Sequence, residues 1–351
     1  MIPVTRVFDG HNDVLTRLYK AGGLTAADGF MTVQDGHIDV PKALKGNLGG
    51  GFFAVWIPTP EELDDDFEAM EAAQYDIPLP EPVAAQEAIA VALEQAAILF
   101  RLDTLGALKV CTTASDLRAC LENGQMAAIL HIEGAEAIDP EFHALEVLYR
   151  AGLRSLGPVW SRSTIFGEGV PFRFPGSPDT GSGLTELGFG LVRRCNALGI
   201  MIDLSHLTER GFWDVAEHST DPLVATHSNA HALCPHVRNL TDDQLRAIAS
   251  SGGMVGVNFA ASFLREDGRM IDDVPLTQVL RHFDYLISVL GDEGVGFGSD
   301  FDGAKVPKAI GDASGLVHLT EAMRKHGYDD ALLRKLCHEN WLRVLEQTWG
   351  R

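Results

Sequence analysis

The feature that most constrains this chain is a regular alternation of short apolar segments with amphipathic ones. Eight apolar runs have the length and composition of buried β-strands. They lie at 4–9, 52–57, 126–132, 154–159, 200–204, 222–226, 254–259 and 294–299. Segments of helical periodicity occupy 83–102, 141–151, 185–198, 208–217, 241–250 and 276–290, and two more helices follow near 316–326 and 329–347. This order predicts parallel strands joined by helices.

Eight such units in 351 residues predict an α/β fold, a (β/α)8 TIM-type barrel with extra loops and C-terminal helices. Barrels of this type exceed the usual domain size, so we expect residues 1–351 to form a single barrel domain. A doubly wound open sheet is the alternative, but no glycine-rich nucleotide-binding loop follows any strand. Two long connections, 58–82 and 161–183, follow strands and belong to the face on which barrels carry active sites. They are equally compatible with lids or oligomer contacts and with solvated loops.

The charge balance excludes several classes of partner. The chain has 28 basic and 49 acidic residues, a net charge of −21, and such a surface repels nucleic acid. We find no basic amphipathic helix, no apolar stretch of membrane-spanning length and no signal peptide, so no membrane association is expected. The five cysteines are scattered and contain no C-x-x-C pair, which is typical of core residues in a reducing compartment. The sequence therefore predicts a cytoplasmic protein.

Polar residues follow the predicted strands at the point where each strand ends. They are His11, Asp13, His131, Glu133, His206, His227 and Asp300. One histidine in such a place is more often structural than a ligand, and an H-x-D pair alone means little. Together, however, they would meet at one rim of a barrel, because the carboxyl ends of parallel strands share a face. Nitrogen and oxygen ligands without thiolates suit zinc, manganese or iron.

The number of these residues indicates two metal ions. A single catalytic zinc takes about three protein ligands and a water, whereas two ions that share a carboxylate use the whole set. His131 and Glu133 are two positions apart in one strand and point the same way. Spacing therefore leaves open which of them is the bridge.

The motifs DGHND, HIEGAE, DLSH, THSNAHALCPHVRNLTDDQL and GSDFDG together resemble the renal (membrane) dipeptidase family, zinc metallopeptidases among the amidohydrolase-type barrels. The resemblance extends from about residue 7 to about residue 345, and THSNA followed by RNLTDDQL is its most specific part. It identifies the chain as a soluble member of bacterial type. A homodimer is compatible with the family.

The resemblance also implies a role for each residue. His11 and Asp13 match ligands of one zinc, His206 and His227 match ligands of the second, and Glu133 matches the bridging carboxylate. Arg238, in VRNL, matches the arginine that holds the terminal carboxylate of a dipeptide; without the family, a surface arginine ahead of a helix would be expected there. Asp300 matches the proton shuttle. The implied reaction is attack on a peptide bond by a hydroxide between two zinc ions.

Two positions depart from the family pattern and concern the substrate. Trp160 stands where the family usually has a histidine, and Ala260 stands where it usually has a tyrosine. The substrate expected is a dipeptide, with L-Xaa-D-Xaa dipeptides included because bacterial relatives often accept them. The first alternative is a binuclear amidohydrolase that acts on another small amide, an N-acyl amino acid or a lactone. The second, a non-catalytic barrel that binds a small ligand, is disfavoured because every ligand position is present.

Overall fold

The computed structural model describes residues 5–59 and 64–350 and has the predicted α/β barrel. The wall consists of eight parallel strands, β1 to β8 in chain order: Val7–Asn12, Leu48–Trp56, Ala127–Glu133, Leu153–Gly157, Met201–Ile202, Val224–Ala225, Met254–Val257 and Val295–Phe297. Each strand lies beside its neighbours in the chain, and β1 pairs with β8. Just beyond β5, the Leu204 N–H donates to the Val224 carbonyl at 2.8 Å. This contact brings β5 beside β6, so the barrel is nearly closed.

Burial on both faces explains why the strands read as almost continuous apolar runs. All seven residues of β3 are buried, and they pair in register with β2 from Gly50–Ala127 to Trp56–Glu133. The eight predicted strands are confirmed, with shifted ends. The first strand begins at Val7 and continues to Asn12, so His11 lies inside it and Asp13 follows it directly.

Helices cover the outside of the barrel. The α-helices of the described residues are Val14–Lys20, Leu24–Ala27, Val40–Gly46, Asp64–Ala69, Ala85–Thr104, Ala114–Asn123, His143–Ala151, Glu186–Leu198, Glu209–His218, Asp242–Ser250, Ala261–Leu264, Leu276–Leu290, Leu316–His326, Asp330–Arg334 and Asn340–Trp349. Two 3₁₀ turns, Asp28–Met31 and Ala313–Gly315, and a π-helical turn, Lys335–Glu339, complete the set. The last predicted helix, 329–347, is confirmed as a continuous helical segment over 330–349 that contains this π turn. Within the described residues, no helix is both long and apolar enough to cross a membrane.

The two long connections pair with each other. Tyr75–Ile77, from the first, forms a two-stranded antiparallel sheet with Phe172–Phe174, from the second. The Tyr75 hydroxyl donates to the Gly268 carbonyl at 2.6 Å, which ties this small sheet to the segment after β7. A further short strand, Lys109–Val110, runs parallel to β3. The connections thus contain regular structure instead of being wholly irregular loops.

The barrel interior has an apolar end and a polar end. Phe8, Phe52 and Ile129 pack in one cluster with Trp341, whose indole N–H donates to the Phe297 carbonyl at 3.1 Å. These residues precede the candidate ligands along their strands, so the cluster fills the amino-terminal end of the barrel. A Cβ on Gly10 would lie 2.6 Å from the Trp341 ring, which explains the absence of a side chain there. The carboxyl-terminal end is left to the polar residues.

Candidate active site

The carboxyl rim of the barrel brings the predicted site residues together. His11 lies in β1, Glu133 is the last residue of β3, and Asp13 follows β1. The other three follow β5, β6 and β8, and they are His206, His227 and Asp300. Apart from Asp300, which is partly buried, these side chains are all buried. Residues separated by almost 290 positions therefore share one enclosed space.

Glu133 stands at the centre of this cluster. One of its oxygens, Oε1, is 3.0 Å from His206 Nε2 and 3.3 Å from His227 Nε2. The other oxygen, Oε2, is 3.6 Å from His11 Nε2, which in turn lies 3.3 Å from Asp13 Oδ2. The carboxylate thus faces two different groups of side chains at once.

Potential ligand atoms fall into three overlapping sets within the described part of the chain. Glu133, His206 and His227 form one, and His11, Asp13 and Asp300 form another; within each set the atoms lie within 4.8 Å of one another. A third set combines His11 and His227 with Asp203. The first set matches the second-zinc ligands that the family resemblance implies, and the other set holds its first-zinc pair, His11 and Asp13, together with Asp300.

The electrostatics of the site suit a bound cation. Burial holds the pKa values of His206 and His227 well below the usual range, so both rings are neutral and can offer a lone pair. Burial also lowers the pKa of His11, but the carboxylates of Glu133 and Asp13 outweigh it and raise that pKa to about 10. Neither ring nitrogen of His11 has a hydrogen-bond partner among the described residues. Two neutral imidazoles, and a third imidazole surrounded by carboxylates, are a set that divalent metal ions fit.

Asp300 occupies a strained position beside this cluster. Its φ of 60° is left-handed, as is that of His206 at 69°, and non-glycine residues adopt such angles at an energetic cost. The Asp300 N–H donates to the His11 carbonyl at 3.1 Å, and its Oδ2 accepts from Asn258 Nδ2 at 3.0 Å. Burial raises the pKa of Asp300. The carboxylate is therefore fixed in place and holds a proton more readily than an exposed aspartate.

Arg238 reaches the opposite side of the cluster and is 3% exposed. Its Nη2 lies 3.1 Å from His206 Nε2 and donates to the His227 carbonyl at 3.3 Å. The guanidinium stands 5.4 Å from the Phe263 ring centroid. Burial lowers its pKa to about 10, so it stays positively charged at neutral pH. Its contact with His206 is at the ring nitrogen that also faces Glu133.

Several residues that orient the ligands were missed by the sequence reasoning. The hydroxyls of Ser161 and Thr226 lie 2.9 Å and 2.7 Å from Nδ1 of His206 and His227, respectively. Thr226 also donates to Asp203 at 2.5 Å. Such contacts set which nitrogen of a ring is free to bind. Asp203 and Thr226 carry a sequence signal, since they begin the DLSH and THSNA motifs, whereas Ser161 lies in neither.

His131, the other candidate for the bridge, lies behind the cluster. Its Nδ1 is 2.9 Å from the Ser155 hydroxyl, and its Nε2 is 3.6 Å from Asp203 Oδ2. It belongs to none of the three potential ligand sets. Burial lowers its pKa to about 3, so the ring is neutral. The geometry therefore favours Glu133 over His131 for the central position.

A cavity of about 200 Å³ opens onto the cluster and includes Asp13, Glu133, His206 and Asp300 in its wall. The rest of the wall includes aromatic and other apolar side chains, which are Trp56, Phe67, Met70, Trp160, Phe172, Ala260, Phe263 and Met270. Both long connections contribute, since Phe67 and Met70 come from the first and Phe172 from the second. The two positions that depart from the family pattern, Trp160 and Ala260, are thus both in the cavity wall.

Buried imidazoles and carboxylates at the carboxyl rim of an α/β barrel, open to a cavity of this size, define the class of the protein. It is a metal-dependent hydrolase for a small-molecule substrate.

Comparison with known proteins narrows the class. Residues 2–349 match the family described as membrane dipeptidase, Peptidase family M19. A metallopeptidase from Rhodobacter sphaeroides, solved with a phosphinate mimic of the dipeptide L-Ala-D-Ala, is 53% identical, with a TM-score of 0.95 over 98% of this chain and 99% of its own. The M19 metallopeptidase named dipeptidase AC is 52% identical, with a TM-score of 0.95 over 99% of both chains. A Klebsiella pneumoniae protein described as uncharacterised, in the pqqA 5′ region, is 53% identical over 73% of this chain and 95% of its own.

The chain therefore belongs to the membrane dipeptidase family, Peptidase family M19, and is a hydrolase of the metallodipeptidase type. Its family and its side-chain clusters together imply a divalent metal.

Proposed function

We propose that this protein hydrolyses dipeptides with the aid of two divalent metal ions, zinc in the native enzyme. The observation that carries the proposal is the position of Glu133. One of its oxygens faces His206 and His227, and the other faces His11. A carboxylate in this position could serve as a ligand to both ions.

The ligand roles follow from the same geometry. His11 and Asp13 would hold the first ion, His206 and His227 would hold the second, and Glu133 would contact both. When bound, the ions would lower the pKa of a water between them and polarise the substrate carbonyl.

Two side chains would handle the substrate. Arg238 is buried, positively charged and beside the second group of ligands, so it can bind the α-carboxylate of a dipeptide through two parallel N–H donors. Asp300 is fixed by Asn258 at the edge of the first group, where it can accept a proton from the attacking water and return it to the leaving amine. A buried acidic group or a metal would receive the free amino end, and a site that binds both ends of its substrate would exclude longer peptides.

The relatives support a dipeptide substrate with a D-residue at its C-terminus. The Rhodobacter sphaeroides enzyme was solved with a mimic of L-Ala-D-Ala, and it matches this chain over nearly its whole length. An alternative substrate, such as an N-acyl amino acid, a lactone or another small amide, is supported by one observation. Trp160 and Ala260 make the cavity wall more apolar than the family pattern predicts.

Hydrolysis of a dipeptide panel tests the proposal. The panel pairs L,L with L,D dipeptides and includes an N-acyl amino acid and a lactone, each assayed with zinc-loaded protein and with a chelated sample. We expect chelator-sensitive cleavage of dipeptides and two ions per chain by mass spectrometry. Cleavage of only the other substrates would support the alternative, and one tightly bound ion in the active protein would refute the two-metal site.

A further inference from the structure

The apolar wall of the cavity is a continuous row of aromatic rings that begins at Arg238. The guanidinium lies 5.4 Å from the Phe263 ring, and Phe263 and Phe172 are stacked with centroids 6.4 Å apart. Phe172 meets Trp160 edge to face at 5.7 Å, and Trp160 meets Trp56 in the same way at 5.1 Å. The row therefore leads from the proposed carboxylate site, past His206, to Trp56 at the carboxyl end of β2.

A second positive charge lies at the far end of this row. Lys20 Nζ is 5.6 Å from the Trp56 ring centroid, and Lys20 lines the cavity. Among the cavity-lining residues that the structure describes, it is the only lysine or arginine. Its ammonium forms no ion pair within 4.0 Å of any described carboxylate. Asp302, a nearby lining carboxylate, is instead paired with Arg17 at 2.9 Å.

The helix Val14–Lys20 fixes the distance between Lys20 and the metal ligands. Asp13 immediately precedes this helix, and Asp13, Thr16 and Lys20 all line the cavity because residues three and four apart share a helix face. Lys20 is seven residues beyond Asp13, or about 10 Å along the helix axis. That distance is too long for the peptide backbone at the reaction centre and suits the end of a side chain.

The orientation of the substrate then decides which side chain reaches Lys20. If Arg238 holds the α-carboxylate, the C-terminal residue lies against Phe263 and Phe172, beside His206. The N-terminal residue lies toward Asp13, so its side chain extends along Trp56 to the ammonium. The methylene groups of a glutamate would pack on the indole, and its carboxylate would meet Lys20.

We infer that Lys20 and Trp56 form the subsite for the N-terminal side chain of the substrate and that this subsite selects an acidic residue, glutamate or aspartate. The inference rests on the proposed function, since it uses the substrate orientation that Arg238 sets. The net charge of −21 disfavours acidic substrates in general. A preference for them must therefore come from a local positive charge, and Lys20 supplies one.

The experiment compares two isosteric substrates, L-Glu-D-Ala and L-Gln-D-Ala, which differ in the charge of one side chain. We expect wild-type kcat/KM to be about 1.5- to fivefold higher for the glutamate dipeptide, the range for an exposed ion pair. Lys20→Met should bring the ratio to about one, Lys20→Arg should restore it, and Lys20→Glu should invert it. Lys325→Met is the matched control, because it removes a positive charge from the exposed end of another helix. It should leave the ratio of the two kcat/KM values as in wild type. The wild-type ratio should also decline as ionic strength rises from about 0.01 to 0.15 M.

The outcomes separate this inference from the proposed function. A wild-type ratio of one or less, or a ratio that Lys20→Met leaves unchanged, would overturn the subsite and assign Lys20 to a structural contact with Trp56. L-Ala-D-Ala and L-Gln-D-Ala would still be cleaved in that case, so the dipeptidase proposal would stand. Failure to cleave any dipeptide would instead refute the proposed function and the inference with it. Competitive inhibition by phosphinate mimics of the same two dipeptides gives a second readout, and the glutamate mimic should bind more tightly by the same factor.

Discussion

Replacement of Arg238 by methionine tests the proposed substrate orientation most directly. The change keeps an apolar stem against Phe263 and removes the positive charge. Arg238 is 3% exposed, so a carboxylate bound there would lose most of its water and depend on the guanidinium. Removal of one member of such a buried charged pair costs about 2–5 kcal/mol, which is an increase of about 30- to several-thousandfold in KM.

The assay is a thermodynamic cycle in which one change is made in the enzyme and the other in the substrate. Steady-state kinetics with L-Ala-D-Ala and with its C-terminal amide, for wild type and Arg238→Met, measure how strongly the guanidinium couples to the carboxylate. For wild type, KM should be much higher for the amide than for the free acid. For Arg238→Met, the KM values of the two substrates should be almost equal. Arg238→Lys should recover part of the discrimination, because an ammonium keeps the charge without the two parallel donors.

The metal content of each variant is the necessary control. Arg238 lies 3.1 Å from His206 Nε2, so a change in metal binding could imitate a change in substrate binding. Mass spectrometry should find the same ions per chain in wild type and in both variants. Equal KM values for the free acid in wild type and Arg238→Met, with metals retained, would show that the carboxylate binds elsewhere.

Three further predictions concern the candidate site and a buried ion pair of the barrel. Asp300→Asn should lower kcat by about 10²–10⁴-fold with metal content retained, since it removes the group proposed to move the proton; an unaffected kcat would exclude that role. Gly303→Ala would place a Cβ 2.2 Å from Asp13 Oδ2 and should weaken metal affinity by about 10- to 100-fold in competition with a chelator. Arg162→Met would leave the buried Glu136 carboxylate without its partner at 2.8 Å, and denaturant unfolding should show a loss of about 3–5 kcal/mol. The double variant Arg162→Met with Glu136→Met should lose less than Arg162→Met alone, and an equal or larger loss would contradict that account.

The sequence was sufficient for the barrel because local signals coincide with the fold. Strands buried on both faces must be apolar throughout, and helix starts depend on nearby caps. Thr208 accepts from the Gly211 N–H at 3.1 Å, and Thr241 forms a capping box with Gln244. What local signals could not supply was pairing over long distances. The antiparallel contact between Tyr75–Ile77 and Phe172–Phe174 joins segments almost 100 residues apart, and neither is long enough to be recognised as a strand.

The candidate site could also be predicted only in part from local sequence signals. Placement of His11, Glu133 and His227 at strand ends predicted that they would meet, and the structure brings them together. The choice between His131 and Glu133 could not come from spacing, because both project from one face of β3. It depends on Ser155 in β4 and Asp203 directly after β5, which lie close to the His131 ring. Hydroxyl partners such as Ser161 leave no sequence signal, since a serine in a loop has many other uses.

Closure of the barrel also determines when the enzyme can form during synthesis. The first strand pairs with the last one, at Asp9 and Phe297, which are 288 positions apart in the chain. At about 5–20 residues per second, β1 waits roughly 15–60 s on the ribosome for its second neighbour. Throughout that time it presents an unpaired edge, to which other chains can bind. His11 and Asp300 come from these same two strand ends, so the candidate site is complete only after the last strand has been made.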